Sequence, residues 1–499
     1  MTDFKNTKEQ NTKEQNTKDT NINNKGGKVL ASGGFGCVFT PALKCKDVYH
    51  REKNKVSKLM TESHAREEYE EITSFKTKLN AIKNYRDYFL IYDATLCKPA
   101  KLKESDLVNY TKKCYALKKT DITKNNINDN LDKLMLLNIP NGGLPVDDYI
   151  HDNGSYEKLY DLHISLIHLF KKGILPMNAK NIYHCDIKDS NVLVDGATTP
   201  LKTRLIDWGL STEYTPFKDV SFPQTWKNRP LQFNVPFSVL IFTDMFVGKY
   251  STFLEDGGDY KEDDELRPFV LEYVTEWMKA RGAGHYKFIN EIMFILFSNS
   301  LTSVLGKKKP DVIESEFTMP YIVNYIMSVL QKYTKFRDNG KLNLREYLDN
   351  VFIKNVDVWG FINVYFPMLE LLYNNYSRLN RTELFLFGAL KGLFVEVLYL
   401  TADEAINKND VLTDLTNIRI ILYKLVFGKI ELLNSSTSSD KASGVKTRKN
   451  RDKLFLKMKM KMKMRTKTKT KNKKVTTNIS FTRVPKVKRF KNPIFLNVQ

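Results

Sequence analysis

The sequence has few cysteines and no long apolar run. Its five cysteines form an odd set with no C-x-x-C pair and no histidine spacing that fits a zinc site: Cys37, Cys45, Cys97, Cys114 and Cys185. We therefore expect reduced thiols and a cytoplasmic compartment. The longest uncharged apolar stretch, 292–305, has fourteen residues, too short to span a bilayer. The sequence has no apolar stretch near its N-terminus, so we expect no secretory signal.

Acidic residues are scarce at the C-terminal end of the chain. Residues 441–499 contain 21 lysines and arginines but one acid, Asp452, and so carry most of the net charge of +22. Charge blocks of this kind are typical of disordered tails that bind polyanions. We predict a disordered basic tail over 434–499, with nucleic acid or another polyanion as a partner. A nuclear-targeting role stays open.

The N-terminal end has almost no apolar residues. Residues 1–25 repeat Asn-Thr-Lys-Glu-Gln with small variation. A segment that can bury so little apolar surface cannot offset the entropy lost on ordering. We therefore predict a disordered repeat over 1–25 and place the folded chain at about 26–430.

The most informative stretch is 184–195, which reads H-x-D-x-K-x-x-N and is followed by Asp207-Trp208-Gly209. Phosphoryl transfer from ATP needs a carboxylate for the attacking hydroxyl, a cation on the γ-phosphate and two oxygen ligands for Mg²⁺. Asp186 and Lys188 fit the first two needs, and Asn191 and Asp207 fit the metal. These residue types in this order point to ATP and Mg²⁺ as cofactors.

A glycine-containing stretch upstream fits a loop that covers phosphates. It comprises Leu30, Ala31, Ser32, Gly33, Gly34, Phe35, Gly36, Cys37 and Val38. Gly33 and Gly36 would let the backbone approach the phosphates closely, whereas Ala31 stands where a first glycine is usual. Lys58 then lies on a predicted strand and is the candidate for binding the α- and β-phosphates.

Residues 62–82 have the apolar spacing of a helix. In the protein kinases that these motifs resemble, a glutamate on the corresponding helix pairs with the phosphate-binding lysine, so the resemblance implies a glutamate here as the partner of Lys58. Glu71 is the first choice, and Glu68 is nearly as good because it shares a face with Ile72 and Phe75. Residues 98–130 are polar and rich in lysine and asparagine, so we expect a loop insertion there.

The order of these elements resembles the eukaryotic-type serine/threonine protein kinases. Local stretches are similar to the kinases of large nucleocytoplasmic DNA viruses, namely 33–41, 141–143, 206–211 and 229–238. The resemblance implies an α+β, two-lobed kinase-like fold with a small β-rich lobe at about 26–138 and a large helical lobe at about 139–430. Residues of about 240–350 would be a helical insertion, since Asp357, which resembles the aspartate that anchors the kinase catalytic loop, comes only afterwards.

The resemblance also implies an activity. It implies transfer of the γ-phosphoryl group of ATP to serine or threonine hydroxyls of a protein substrate, and His184 would only hold the loop shape. Asn138 and Pro140 would lie at the adenine, and Pro140, which has no N–H, predicts one adenine hydrogen bond fewer than usual. Cys185 stands where regulated kinases have an arginine that pairs with a phosphate, so we hypothesise activity without that phosphate. The location would be a host cytoplasm or virion.

Three alternatives remain open. A pseudokinase scaffold is favoured slightly by Ala31 and by the lack of an Ala-Pro-Glu motif. A nucleic-acid-binding packaging protein would work through the basic tail. A small-molecule or lipid kinase would fit the altered segment after Asp207, because that segment normally forms the platform for a peptide.

Overall fold

The structure, a computed structural model, describes residues 28–219, 222–256, 263–305, 317–335, 341–399 and 402–431. The predicted disordered repeat at 1–25 and the predicted basic tail at 434–499 lie outside these residues. The described chain is a mixed α+β structure, with a small antiparallel sheet region followed by a larger helical part.

Five strands near the N-terminus form one antiparallel sheet. They are β1 (Lys28–Ser32), β2 (Gly36–Thr40), β3 (Lys55–Thr61), β4 (Thr95–Cys97) and β5 (Leu134–Pro140). Their order across the sheet is β1-β2-β3-β5-β4. Lys58 lies opposite Val38 on β2 and opposite Leu137 on β5. The predicted lysine strand is therefore central in the sheet.

One helix covers this sheet. Helix α1 (Glu62–Leu79) buries Ala65, Ile72, Phe75 and Leu79, which recur at helical spacing and so share one face. The prediction of a helix at 62–82 is confirmed, although the helix ends at Leu79. Asn80, the next residue, still donates its N–H to the carbonyl of Lys76.

The polar stretch at 98–130 is more than a loop insertion. It forms the one-turn helix α2 (Tyr110–Lys113) and several 3-10 turns. Its apolar side chains enter the core of the sheet region: Leu102, Leu107, Tyr110, Leu117, Ile122 and Ile127. Single turns have no sustained periodicity, so the lysines and asparagines between them hide these core positions in the sequence.

Helices dominate the rest of the described chain. They are α3 (Val146–Asp152), α4 (Tyr156–His168), α5 (Leu175–Ala179), α6 (Gln224–Lys227), α7 (Asp244–Glu255), α8 (Asp263–Arg281), α9 (Tyr286–Leu305), α10 (Met319–Tyr333), α11 (Leu344–Tyr347), α12 (Ile353–Asn363), α13 (Phe366–Asn374), α14 (Arg381–Leu393) and α15 (Lys408–Glu431). π-helical turns at Leu169–Ile174, Leu348–Phe352 and Phe394–Tyr399 extend three of these helices. None of the described helices combines the length and apolar character needed to cross a membrane.

Seven short strands lie between the helices of the described chain. They are β6 (Leu144–Pro145), β7 (Ile182–Tyr183), β8 (Val192–Asp195), β9 (Lys202–Leu205), β10 (Thr212–Glu213), β11 (Thr334–Lys335) and β12 (Lys341–Leu342). β6, β8 and β9 form a three-stranded sheet, and β7 pairs with β10. Residues 184–191 connect β7 to β8, so both ends of this loop are fixed by strand pairing.

Helix α12 is the centre of the helical part. Ten of its eleven residues are buried, and a helix that is apolar and buried all round lies inside a core. In the described part of the stretch 240–350, α10 contacts this helix, with the ring of Tyr325 5.7 Å from that of Trp359. Other residues of the stretch contact one another: Tyr273 on α8 donates to the carbonyl of Leu240 at 2.6 Å, and Tyr250 on α7 contacts Thr334 at 2.8 Å.

The expectation of reduced thiols is wrong for four of the five cysteines. Cys37 is bonded to Cys114, and Cys45 is bonded to Cys97. The first ties β2 to the residue after α2, and the second ties the connection between β2 and β3 to β4; their partners are 77 and 52 residues apart. Pairs at such separations carry no local signature, so composition alone could not reveal them. Cys185 is free and buried.

We predict that reduction destabilises the protein. Disulfides that close loops of this length stabilise a fold by roughly 2–4 kcal/mol each, mainly by restricting the unfolded chain. Thermal unfolding with and without a phosphine reductant should therefore show a lower melting temperature in the reduced sample. Cys114→Ser should lose part of this shift, whereas Cys185→Ala should keep all of it. An unchanged melting temperature on reduction would contradict the two cross-links.

Candidate functional site

A buried carboxylate fixes the start of the 184–191 loop. Asp357 on α12 accepts hydrogen bonds from the backbone N–H of His184 at 3.0 Å and of Cys185 at 2.8 Å. The side-chain amide of Asn178 donates to it at 2.7 Å. Cys185 has φ +59°, a conformation that non-glycine residues rarely adopt. The prediction that Asp357 anchors this loop is confirmed.

Four side chains surround the carboxylate of Asp186. One of its oxygens, Oδ2, accepts from Lys188 Nζ at 3.0 Å and from Asn191 Nδ2 at 2.9 Å. The other, Oδ1, accepts from Asn234 Nδ2 at 2.9 Å and lies 3.6 Å from Arg229 Nη2. Burial alone would raise the pKa of Asp186, but the charges of Lys188 and Arg229 outweigh it and hold the pKa below its usual value. The carboxylate is therefore ionised at neutral pH.

The stretch at 206–208 lies directly against this loop. Ile206 donates its N–H to the carbonyl of Asn191 at 3.1 Å and accepts from His184 Nε2 at 2.9 Å. Trp208 is buried with its ring 4.9 Å from the ring of His184 and 5.4 Å from that of Phe75 on α1. His184 thus holds the loop in shape, as we predicted. The aromatic contacts also connect the loop to helix α1.

Lys58 forms an ion pair with Glu68. Its Nζ lies 2.5 Å from Glu68 Oε2. Burial alone would lower the pKa of Lys58, but the carboxylates of Glu68 and Asp207 outweigh burial and raise it. The ammonium of Lys58 and the carboxylate of Asp207 therefore attract one another, although the two residues are far apart in the sequence.

The first choice for this pair, Glu71, is wrong. Within the described residues no hydrogen bond joins Glu71 to Lys58, and its carboxylate faces Gly209, where an added Cβ would lie 3.7 Å from Oε2. Positions 68 and 71 are neighbours on one face of α1, so sequence periodicity could not separate them. Burial, with the charges of Glu68, Glu67 and Asp207, raises the pKa of Glu71 to about 7.

The turn between β1 and β2 lies over Lys58. Gly33 donates its N–H to the carbonyl of Gly36 at 2.8 Å and closes the turn. A Cβ at Gly33 would lie 3.7 Å from Lys58 Cε, and a Cβ at Gly36 would lie 2.2 Å from Met60 Cγ. Glycine is therefore required at 36 by close packing, whereas a Cβ at 33 would make only ordinary van der Waals contacts.

The other predicted members of this stretch differ in their exposure and contacts. Leu30, Ala31, Gly34 and Phe35 are exposed, and the Phe35 ring lies 4.4 Å from that of His64. The hydroxyl of Ser32 accepts from the N–H groups of 115 and 116 at 3.2 and 3.1 Å and donates to the carbonyl of Gly33 at 3.4 Å. Cys37 is buried in its disulfide, and Val38 lies opposite Lys58.

The end of β5 brings Asn138 and Pro140 beside β3. The amide of Asn138 is fully buried, accepts from Ser57 Oγ at 2.5 Å and donates to Glu52 at 3.0 Å. Its side chain is therefore used inside the sheet region, and its backbone lies between Ser57 on β3 and Thr95 on β4. Pro140 has no N–H, and the N–H of Asn141 is bonded to the carbonyl of Asn54 at 2.8 Å.

The expected metal ligands are one amide and one carboxylate. Both side-chain hydrogen bonds of Asn191 use its Nδ2, which donates to the backbone and side-chain oxygens of Asp186 at 2.9 Å. In the described part of the chain no cluster of three or more His, Cys, Asp or Glu side chains could hold a metal by itself. Mg²⁺ in phosphoryl-transfer sites is commonly held by one or two protein groups, with phosphates and water completing its shell. Asn191 and Asp207 fit that pattern.

Two residues that touch Asp186 were not predicted to do so. Arg229 and Asn234 belong to a stretch that we singled out at 229–238 but gave no chemical role. They approach Asp186 only in the folded chain, so spacing along the sequence gave no signal for the contacts.

Neither the comparison with protein-family models nor that with curated proteins finds a match to this chain.

We predict that Glu71 makes stability depend on pH. The pKa of Glu71 is about 7 in the folded protein against an ordinary value of 4.5, so folding favours the protonated carboxyl. The stability that this protonated form contributes is fully present below pH 4.5 and is lost as pH rises through about 7, where the buried carboxyl ionises. Glu71→Gln should therefore stabilise the protein by on the order of 1 kcal/mol at pH 8, after allowance for solvent screening. At pH 4.5 it should change little.

Urea unfolding of both proteins at the two pH values measures this difference. Glu70→Gln, at an exposed neighbouring position, is the matched control and should behave like the unchanged protein. An equal effect of Glu71→Gln at both pH values would contradict the raised pKa.

Proposed function

We propose that this chain is a serine/threonine protein kinase that transfers the γ-phosphoryl group of ATP with the help of Mg²⁺. One observation carries the proposal. Asp186, Lys188 and Asn191 form one hydrogen-bonded group, while Lys58 and Glu68 form an ion pair within the electrostatic reach of Asp207. Phosphoryl transfer is catalysed mainly by positioning and electrostatics, and these are the groups that it requires.

The small sheet region and the larger helical part fit the two lobes of such an enzyme. The sheet region carries Lys58 on β3 and Glu68 on α1. The helical part carries Asp186 and Asp207 on connections between short strands. A nucleotide bound where Lys58 meets Asp207 would touch both regions.

Asp186 is suited to receive the attacking hydroxyl. Its carboxylate is ionised and held from both oxygens, so it would orient a serine or threonine hydroxyl and accept its proton late in the transfer. The ammonium of Lys188, 3.0 Å from Asp186 Oδ2, would neutralise charge on the γ-phosphate.

The remaining residues would hold the nucleotide. Lys58, kept in place by Glu68, would bind the α- and β-phosphates, and the turn at 33–36 would cover them. Asn191 and Asp207 would hold Mg²⁺, which when bound neutralises the phosphate oxygens. The backbone near Asn138 and Pro140 would meet the adenine.

We predict that purified protein incorporates the γ-phosphate of labelled ATP into mixed protein substrates in a Mg²⁺-dependent reaction. Asp186→Asn should lower the rate by about 10²-fold or more, because it removes the group that orients and deprotonates the hydroxyl. Phosphoamino-acid analysis should recover phosphoserine or phosphothreonine.

Asp152→Asn, at an exposed carboxylate outside the site, is the control and should leave the rate unchanged. Transfer that persists in Asp186→Asn would show that another protein or another site is responsible. Tight binding of Mg-ATP with no transfer would support the pseudokinase scaffold instead.

A second prediction separates the two glutamates on α1. Glu68→Gln should raise the KM for ATP and lower kcat, together by on the order of 10-fold or more, because Lys58 loses its partner and its position on the phosphates. Steady-state kinetics with varied ATP measures both constants. Glu70→Gln is the control, and a larger loss from Glu71→Gln than from Glu68→Gln would contradict the assignment of the pair.

A further inference from the structure

The second oxygen of Asp186 is held from a distant part of the chain. Asn234 donates its Nδ2 to Asp186 Oδ1 at 2.9 Å and to the carbonyl of Ile187 at 3.3 Å. Arg229 lies on the same side, with Nη2 3.6 Å from the same oxygen. We call residues 229–234 the 229–234 segment. It thus contacts the proposed catalytic carboxylate with a charge and a hydrogen bond.

Arg229 is held firmly in this position. Its side chain is 3% exposed, its Nη1 donates to the carbonyl of Cys185 at 2.6 Å, and its Nε donates to Gln232 at 2.7 Å. Among the described residues its Nη2 has no hydrogen-bond acceptor. A buried guanidinium is costly unless a counter-charge lies close to it, and Asp186 is the carboxylate that faces this nitrogen.

Cys185 explains why the cation has to come from elsewhere. Burial raises the pKa of its thiol well above the ordinary value, so the side chain is neutral. Cys185 stands where an arginine would pair with a phosphate in the kinases that this chain resembles. Here Arg229 supplies a cation to the same loop, through the backbone carbonyl of Cys185 instead of its side chain.

A second buried carboxylate fixes the stretch that precedes the 229–234 segment. Asp349 accepts from the hydroxyl of Tyr214 at 2.6 Å and from the N–H of Phe217 at 2.9 Å, and Arg345 donates to it at 2.7 Å. Asp349, itself bonded to Arg345, thus holds Tyr214 and Phe217 in the stretch after Asp207. None of these contacts needs a phosphate group.

We propose that Arg229 and Asn234 are positioning residues that hold Asp186 in its working orientation, so that the site is assembled without covalent modification of residues 208–228. The inference rests on the proposed kinase activity. Arg229 and Asn234 would order the loop around Asp186, as a phosphate on residues 208–228 would otherwise do.

The test compares Arg229→Met, Arg229→Lys and Asn234→Ala with the unchanged protein. Arg229→Met and Asn234→Ala should lower kcat by on the order of 10–100-fold while KM for ATP stays within about threefold, since only the hydroxyl-orienting group is disturbed. Arg229→Lys keeps the charge but not the planar fork, so it should recover part of the lost kcat. Lys227→Met, which removes a nearby cation paired with Asp244, should leave both constants unchanged.

Amide hydrogen exchange provides a readout that does not depend on activity. Peptides covering 184–188 should exchange faster in Arg229→Met and Asn234→Ala, but not in Lys227→Met. If the unchanged protein transfers no phosphate, the proposed function fails, and faster exchange in these peptides still supports the positioning role. Unchanged exchange together with unchanged kcat in both variants would overturn it.

Dephosphorylation tests the second half of the inference. Protein treated with a broad-specificity phosphatase should keep its full rate, and mass spectrometry should find residues 208–228 unmodified in active enzyme. Loss of activity on phosphatase treatment, traced to a phosphate within 208–228, would overturn the proposal that the site is assembled without modification.

Discussion

The geometry of the site depends on the buried carboxylate of Asp357. It accepts two consecutive backbone N–H groups at the start of the 184–191 loop and so stabilises the left-handed conformation of Cys185. That conformation costs on the order of 1–3 kcal/mol in a non-glycine residue, and an unpaired buried N–H costs about 1–3 kcal/mol. Since Asp186 follows Cys185 directly, these two hydrogen bonds fix the backbone from which its side chain extends. Helix α12 is buried on almost every side, which keeps the carboxylate itself from moving.

Charge balance explains why the residues around Asp186 can be buried together. Two carboxylates, Asp186 and Asp357, lie within electrostatic reach of the guanidinium of Arg229, and Lys188 adds a second cation beside Asp186. Burial lowers the pKa of Arg229, while the two carboxylates oppose that effect. A buried charge is tolerated when a partner of opposite sign is close to it. The two carboxylates and the two cations balance one another. A further cation at position 185 would leave this cluster positively charged, whereas the thiol of Cys185 is neutral.

What could be predicted from the sequence was local. The residues of the 184–191 loop, the strand of Lys58 and the helix over 62–79 each lie within a short stretch whose spacing or apolar period is visible. Contacts between distant stretches were not visible: the disulfide of Cys37 with Cys114, and the approach of Asn234 to Asp186. The choice between Glu68 and Glu71 failed for another reason. Both lie on the same face of one helix, and only the reach of Lys58 from β3 decides between them.

Described residues of the stretch 240–350 hold the 229–234 segment. Two backbone carbonyls of the 229–234 segment are bonded to that stretch: that of Arg229 accepts from the indole of Trp277 at 3.0 Å, and that of Leu231 accepts from the N–H of His285 at 2.8 Å. Gly284 has φ +55°, and a Cβ there would lie 2.2 Å from the Leu231 carbonyl oxygen, so only glycine allows this approach.

Helix α12 holds the far end of the same segment. The indole of Trp359 donates to the carbonyl of Phe233 at 2.7 Å, and a Cβ at Gly360 would lie 2.6 Å from the Ile187 carbonyl oxygen and 3.2 Å from that of Asn234. Buried backbone groups must be paired, and here the partners come from helices on both sides. The backbone that carries Arg229 and Asn234 is therefore held by Trp277 and His285 as well as by α12.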